Sequence, residues 1–443
     1  MTTSTKPPAG TRDFLPAEVR RREHVVAVVR DVYERYGFEP LDTPAFENIE
    51  TLLGKYGEEG NKLIFKILKR GEHEASGEAD LALRYDLTVP LARVVAQYEH
   101  ELPKFWKRYQ IQPVWRADRP ARGRFREFYQ CDIDALGSTS PIVEAEVCAA
   151  VCDVLQNLGF QEFVVKLNHR RILSALLTNA EVPAERQGDA LVSLDKLDKI
   201  GRDGVSKELL ARGISGDSSN RLFQWIEATD PSDWLDRLER EFTLLDDADR
   251  AAFQNLREIM ALTAATSAAG RVRFEPSLAR GLSYYTGAIM EIAFEGIGSL
   301  GGGGRYDNLV GMFLGRNVPA CGFSLGLERI IVVMTERAMF PAAVAGAAAD
   351  VMVTLWNEDA RADAMALCGE FRRAGLRAEI YPEADKLGKQ FKYASTRQVP
   401  FVAIVGDDER AQGNVSIKDL RSGEQQIVAR GEAAGHVRTR RQA

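Results

Sequence analysis

Three observations predict an α+β body, interrupted by a helical insertion and followed by a small α/β domain. Short β-rich runs separated by turns fill most of the first 170 residues and return between Arg271 and Phe294. Residues from about 171 to 268 are instead rich in Leu, Ala, Asp, Glu, Lys and Arg, with few strand signals. Beyond a small-residue stretch, Ala342 to Ala349, short apolar strands alternate with helical patterns, the order of an α/β unit. The expected plan is a discontinuous body (1–170 and 269–341), an insertion (171–268) and a C-terminal domain (350–435). At 443 residues, 45% hydrophobic and 28% charged, the chain is long enough for it.

The elements follow in order. Residues before about Pro16 read as a flexible lead-in, and Pro16 suits the first turn of a helix. From Glu18 to Tyr36, the residues Val19, Val26, Val29, Tyr33 and Tyr36 recur at helical spacing, and Gly37 fits the stop. Leu81 to Tyr85 and Phe128 to Asp134 read as strands. In the second, Gln130, Asp132 and Asp134 share one face opposite apolar and aromatic residues, which implies a cleft or a solvated sheet face. Trp225 and Trp234 punctuate the helical pattern of the insertion, which reads equally as a solvated subdomain. Strands are expected at Arg271 to Glu275 and Ala288 to Phe294, and a helix at about Cys321 to Arg337. After the small-residue stretch come a strand (Asp350 to Trp356), a helix (Asp359 to Ala374) stopped by Gly375, and a strand (Arg377 to Tyr381). A Lys-rich helix, a strand (Phe401 to Val405) and a hairpin turning at Ser422-Gly423 complete the pattern, and no internal repeat is present.

Composition excludes several classes. The opening MTTSTKPPAGTRDF has no apolar core of a signal peptide. No apolar run reaches the roughly 18 to 20 residues of a membrane span. Five cysteines (Cys131, Cys148, Cys152, Cys321, Cys368) are odd in number and form no Cys-x-x-Cys pair. Reduced thiols, a cytoplasmic location and no membrane partner are expected. A net charge of -6 argues neither for nor against nucleic acid.

Five segments carry chemistry. Arg116 to Arg126 holds five arginines in eleven residues on a loop broken by Pro120 and Gly123. Arginine forks match phosphate bidentately, so the loop suits a nucleotide or an RNA backbone, or is a solvated charged hairpin. Arg280-Gly281-Leu282-Ser283-Tyr284-Tyr285 sets a cation beside two hydroxyl-bearing aromatics. These suit a small planar polar ligand, or are ordinary tyrosine packing. Gly301 to Gly304, before Arg305-Tyr306-Asp307, allows close backbone approach or makes a flexible turn. It is neither a Gly-Lys-Ser/Thr phosphate loop nor Gly-x-Gly-x-x-Gly. Gly322 to Arg329 ends in Glu328-Arg329, a phosphate clamp or a surface ion pair. In Arg84 to Pro90, Asp86 and Thr88 share a strand face fit for an ammonium group, or they cap the following helix. None of the five histidines (His24, His73, His100, His169, His436) lies in these segments, which disfavours a histidine general base.

Together the segments resemble class II aminoacyl-tRNA synthetases, and specifically the histidyl-tRNA synthetase family, over nearly the whole chain. Gly10 to Pro16 is similar to that family's opening. Pro44 matches the proline of class motif 1, Arg116 to Glu127 resembles motif 2, and Gly322 to Arg329 resembles motif 3. Arg280-Gly281-Leu282-x-Tyr284-Tyr285 and Gly303 to Asp307 resemble the histidine-specific signatures. The resemblance implies an antiparallel catalytic sheet flanked by helices, a C-terminal anticodon-binding domain, and a homodimer joined near motif 1. It implies ATP as substrate with Mg2+ on its phosphates, L-histidine, and tRNA(His) as the acceptor.

By the same resemblance, Arg116 contacts the α-phosphate and the substrate carboxylate, Arg329 holds the γ-phosphate, and Arg280 stabilises charge as adenylate forms. Asp86, Leu87 and Thr88 surround the histidine α-amino group. Gln130, Asp134, Tyr284 and Tyr285 line the histidine pocket, with Arg116 and Arg280 at its mouth. Arg124 and Glu127 are further ATP contacts, and no resident metal is implied. Asp86, Asp134 and Asp118 stand where many bacterial members have glutamate, so the reach of these carboxylates is shorter. Two relatives compete: the synthetase-like regulatory subunit of ATP phosphoribosyltransferase, which typically lacks the C-terminal domain, and another class II synthetase such as the prolyl, threonyl or glycyl enzyme.

Overall fold

The computed structural model describes residues 4–71, 76–227, 234–280 and 284–442. Its chain separates into two compact units, Met1–Phe340 and Pro341–Ala443.

Over its described residues the first unit is built on eleven strands: Glu39–Pro40 (β1), Phe46–Asn48 (β2), Lys66–Leu68 (β3), Ala79–Leu83 (β4), Trp106–Trp115 (β5), Glu127–Leu136 (β6), Val164–His169 (β7), Val272–Phe274 (β8), Ala288–Phe294 (β9), Gly298–Arg305 (β10) and Ala320–Gly326 (β11). Eight form one sheet in the order β1-β5-β6-β11-β10-β9-β7-β8. Its six central strands are antiparallel, and β1 and β8 join the two edges in parallel. Strands β2, β4 and β3 make a small second sheet.

Helices cover one face of the large sheet. Helix Pro16–Arg35 starts with proline at its first position, and the Glu18 carboxylate accepts from the Leu15 N–H at 3.2 Å. Its Val25, Val29, Val32 and Tyr33 are fully buried, and Tyr33 Oη donates to the Cys131 carbonyl of β6. Helix Ile142–Asn157 presents Val147, Cys148, Val151 and Leu155 to the same core. Between β7 and β8 the chain is helical from Arg170 to Thr263, apart from short connections, over its described residues. These helices belong to the first unit.

In the second unit, Val351–Val353 (β12), Ala378–Ile380 (β13), Phe401–Ile404 (β14), Asn414–Asp419 (β15) and Gln425–Ala429 (β16) form a sheet in the order β13-β12-β14-β15-β16. Alternate residues feed two cores, as a period of two requires. Val351, Val353, Phe401 and Ala403 pack with Leu367 and Phe371, whereas Met352, Val402 and Ile404 pack with Ala394 and Val399.

Several expectations are corrected. Residues 8–15 are not a loose lead-in: the Gly10 carbonyl accepts from Arg126 N at 2.8 Å, and the Arg12 guanidinium lies 3.4 Å over the Phe125 ring. The segment from Cys321 to Gly326 is strand, and the helix begins only at Leu327. Glycines 301 to 304 are neither turn nor loop but the inner part of β10. Asp86 lies beyond the end of β4, and Thr88 opens helix Thr88–Gln97, so the two do not share a strand face. Helices Asp407–Gln412 and Ala433–Gln442 were not foreseen.

Candidate active site

The uncovered face of the large sheet is the floor of a cleft. Register partners set Lys166, Glu291, Gly302, Ser324, Asp132 and Gln110 in one row across β7, β9, β10, β11, β6 and β5. The parallel row, two residues along, runs Asn168, Ile289, Gly304, Gly322, Asp134 and Arg108. Residues two apart in a strand share a face, so both rows point to the cleft side. The glycines make room for larger neighbours. A Cβ at Gly302 would meet the Arg280 guanidinium closer than 3.0 Å, and one at Gly322 would meet the Asp134 carboxylate. The glycine run is therefore a bed for functional side chains, a role of close approach rather than of flexibility.

One end of the cleft is acidic and aromatic. Asp86, Thr88, Gln130, Asp132, Asp134, Tyr284, Tyr285 and Tyr306 line it. Asp134 is buried and paired with the fully buried Arg108 at 2.7 Å, and it accepts from Tyr306 Oη. Asp86 Oδ1 accepts from Tyr56 Oη at 2.9 Å and from Val89 N at 3.1 Å. The latter bond caps helix Thr88–Gln97, so the capping and pocket readings of Asp86 both apply. Its other oxygen, Asp86 Oδ2, is buried without a hydrogen-bond partner. Gln130 Nε2 donates to Ser324 Oγ at 2.6 Å. The Tyr284 and Tyr285 rings stand 4.9 Å apart. Burial raises all three aspartates. Asp132 is pushed to about 7 and Asp134 to about 6, with Arg108 only partly offsetting the loss of water.

The other end is cationic. The Arg116–Arg126 hairpin closes through Arg116 N to the Arg126 carbonyl at 2.9 Å. Arg116 packs 4.3 Å over the Tyr85 ring and donates from Nε to its carbonyl. Arg124 pairs with Asp118 at 3.0 Å. Arg329, from helix Leu327–Glu336, donates to the Ser299 carbonyl. Burial, and then the neighbouring Arg124, hold Arg329 below the usual guanidinium range. Neighbouring cations that disfavour one another in this way are stabilised by an anion. Phe125, Phe128 and Gly123 complete this end, and Arg280 lies between the two ends.

The cleft thus gathers Asp86, Thr88, Arg116, Arg124, Gln130, Asp134, Arg280, Tyr284, Tyr285 and Arg329 from separate stretches of chain. It does not gather Leu87 or Glu127. Leu87 is fully buried in the core with an apolar side chain, and its carbonyl accepts from Arg108 at 3.3 Å. Glu127 is exposed and accepts from Trp115 Nε1 at 3.2 Å. Gly281, Leu282 and Ser283, part of the tyrosine segment, and His73 lie outside the described residues. Reasoning from sequence missed Arg108 and Ser324, and also Lys199, which reaches the cleft from the helical insertion, and it placed Asp132 on the cleft face without giving it a role. Arg108 left a signal: it sits inside a strand between Trp106 and Tyr109, and a buried arginine demands a carboxylate. Among the described residues no group of three or more His, Cys, Asp or Glu side chains is placed to hold a metal.

Comparison with known proteins gives a consistent answer. Residues 10–330 match the family model of histidyl-tRNA synthetase, and residues 350–440 match that of an anticodon binding domain. A histidine–tRNA ligase of Bacteroides fragilis is 40% identical over 97% of this chain and 98% of its own. One from Gloeobacter violaceus is 41% identical over 95% of each. The crystal structure of a histidyl-tRNA synthetase from Nostoc sp. superposes with a TM-score of 0.81 at 29% identity, covering 99% of this chain and 100% of that one. A Bacillus halodurans structure described as an ATP phosphoribosyltransferase regulatory subunit/histidyl-tRNA synthetase is 21% identical at a TM-score of 0.73, covering 90% of this chain and 98% of that one. At that identity it shows the shared fold alone.

Proposed function

The chain belongs to the histidyl-tRNA synthetase family, and we propose that its cleft joins L-histidine to ATP and then passes the histidyl group to tRNA(His). One observation carries this reading: a buried acidic and aromatic pocket and an arginine cradle meet in a single cleft, with Arg280 at their junction. Asp86, with its unpartnered Oδ2, takes the α-ammonium of histidine beside Thr88. Asp134, Gln130, Tyr284 and Tyr285 enclose the imidazole. Arg124 and Arg329 hold the outer phosphates, and Arg116 spans the histidine carboxylate and the α-phosphate.

In the first step a histidine carboxylate oxygen attacks the α-phosphorus, and the bond to pyrophosphate breaks. The nucleophile is already ionised, so the site needs alignment and charge neutralisation rather than a general base. Arg116 and Arg280 supply that neutralisation. In the second step the tRNA 3′-terminal hydroxyl attacks the activated carbonyl and AMP leaves. Mg2+ would enter as part of the ATP substrate and offset the charge of its phosphates, in keeping with its preference for phosphates and water over all-protein cages. The second unit takes the anticodon arm, with exposed Lys386 at the start of its Lys-rich helix Leu387–Thr396 and exposed Lys389 and Lys392 within it. The working form is a homodimer in the cytoplasm, and among the described residues no helix is long and apolar enough to cross a membrane.

ATP–pyrophosphate exchange run with each amino acid in turn tests this. Exchange with histidine alone is expected. Arg280→Ala should keep most histidine binding and lose most exchange. Folded protein without histidine-dependent exchange overturns the reading in favour of a non-catalytic regulatory subunit, and exchange with another amino acid corrects the substrate.

A further inference from the structure

Arg280 sits at the junction of the cleft, yet it comes from no strand of the sheet. A long side chain on such a segment samples many rotamers unless something holds it. Two features of the sheet do so. Gly302 of β10 lacks the Cβ that would occupy the space of the guanidinium. Glu291 of β9 stands directly across the ladder from Gly302, and its Oε2 accepts from Arg280 Nη1 at 3.1 Å. The flanking Met290 and Ile292 are fully buried on the opposite face, so Glu291 is the residue that β9 turns to the cleft here.

We propose that Glu291 is the positioning residue for Arg280, holding its guanidinium over Gly302 so that the rest of the fork points at the phosphorus under attack. The proposal rests on the functional reading above. A guanidinium has five donors in a fixed plane, so anchoring one nitrogen orients the others. On the far side Glu291 faces Lys166 of β7 in register. Lys166 is itself paired with Asp198, at the start of insertion helix Leu197–Ala211, at 3.4 Å. The Glu291 carboxylate thus has a cation on each flank.

Exchange kinetics test the assignment. Glu291→Gln should lower kcat roughly tenfold to a hundredfold, with the KM for histidine near that of wild type. Gly302→Ala, which keeps both charges but fills the seat of the guanidinium, should lower kcat in the same way. Glu291→Gln placed in an Arg280→Ala background should cost nothing further, because the two residues act as one unit. A melting temperature close to wild type qualifies each variant, and Glu291→Gln alone suffices if Gly302→Ala does not fold. Wild-type kcat in Glu291→Gln, or an equal loss with and without Arg280, overturns the proposal. Absence of exchange in wild type overturns the functional reading itself and this proposal with it.

Discussion

The two ends of the cleft solve opposite electrostatic problems by opposite means. At the acidic end, Asp86 and Asp134 are buried and held by partners from the protein itself: Tyr56, the Val89 amide, Arg108 and Tyr306. At the cationic end, Arg124 is about half exposed and Arg329 is held low by burial and by its cationic neighbour. The first end is largely held by the protein before any ligand arrives, with Asp86 Oδ2 alone of that carboxylate left open, and the second is completed by an anion. A pocket that must reject similar amino acids profits from groups held fixed by the protein. A cradle for a triphosphate profits from charge that is satisfied only when the substrate arrives.

Three measurements bear on that contrast. The largest effect is expected at the cationic end: Arg329→Ala should cut exchange by about a hundredfold or more while leaving the melting temperature of the free protein near wild type. A marked fall in stability would show that Arg329 is structural and blur the distinction. At the acidic end the order reverses, because Arg108→Ala strands the buried Asp134. It should destabilise the free protein by ~3–5 kcal/mol in denaturant unfolding. A loss well below that would mean that Asp134 is not held by the pair. The smallest effect concerns pH. The folded state lifts Asp132 to about 7 and Asp134 to about 6, above the roughly 3.9 of an unfolded aspartate. The folded chain then binds more protons than the unfolded chain across this window, so these groups make stability fall as pH rises from about 4 to about 7 and level off above. Asp132→Asn should flatten part of that fall when melting temperatures are compared across the window. An unchanged slope would show that Asp132 is ionised throughout.

Much of the cleft was legible before any fold was known, because its groups are of kinds that chains rarely spend idly. The five arginines of the 116–126 loop and the Arg280, Tyr284 and Tyr285 cluster announced themselves by density and type. The period-two face of Gln130, Asp132 and Asp134 correctly signalled a cleft. The glycine run stayed open between close approach and a flexible turn, because a strand of glycines looks like a turn until its neighbours are known. The segment from Cys321 to Gly326 was misjudged because a short apolar run before a helix carries the same local signal as that helix's first turns. Leu87 and Glu127 entered the expected site through the resemblance, but Leu87 is buried in the core and Glu127 is exposed beside Trp115, so neither lines the cleft.

The sequence alone determined the architecture in outline, the charge chemistry of the cleft and the family, since these depend on residue types and short-range spacing. Only the tertiary structure decided which groups meet. Arg108 finds Asp134 through the β5–β6 ladder, and Tyr306 reaches that same carboxylate. Glu291 faces Gly302, and over that glycine lies Arg280. Such partnerships are set by strand register, a property of pairs of segments far apart in the chain, and no single stretch of residues encodes it.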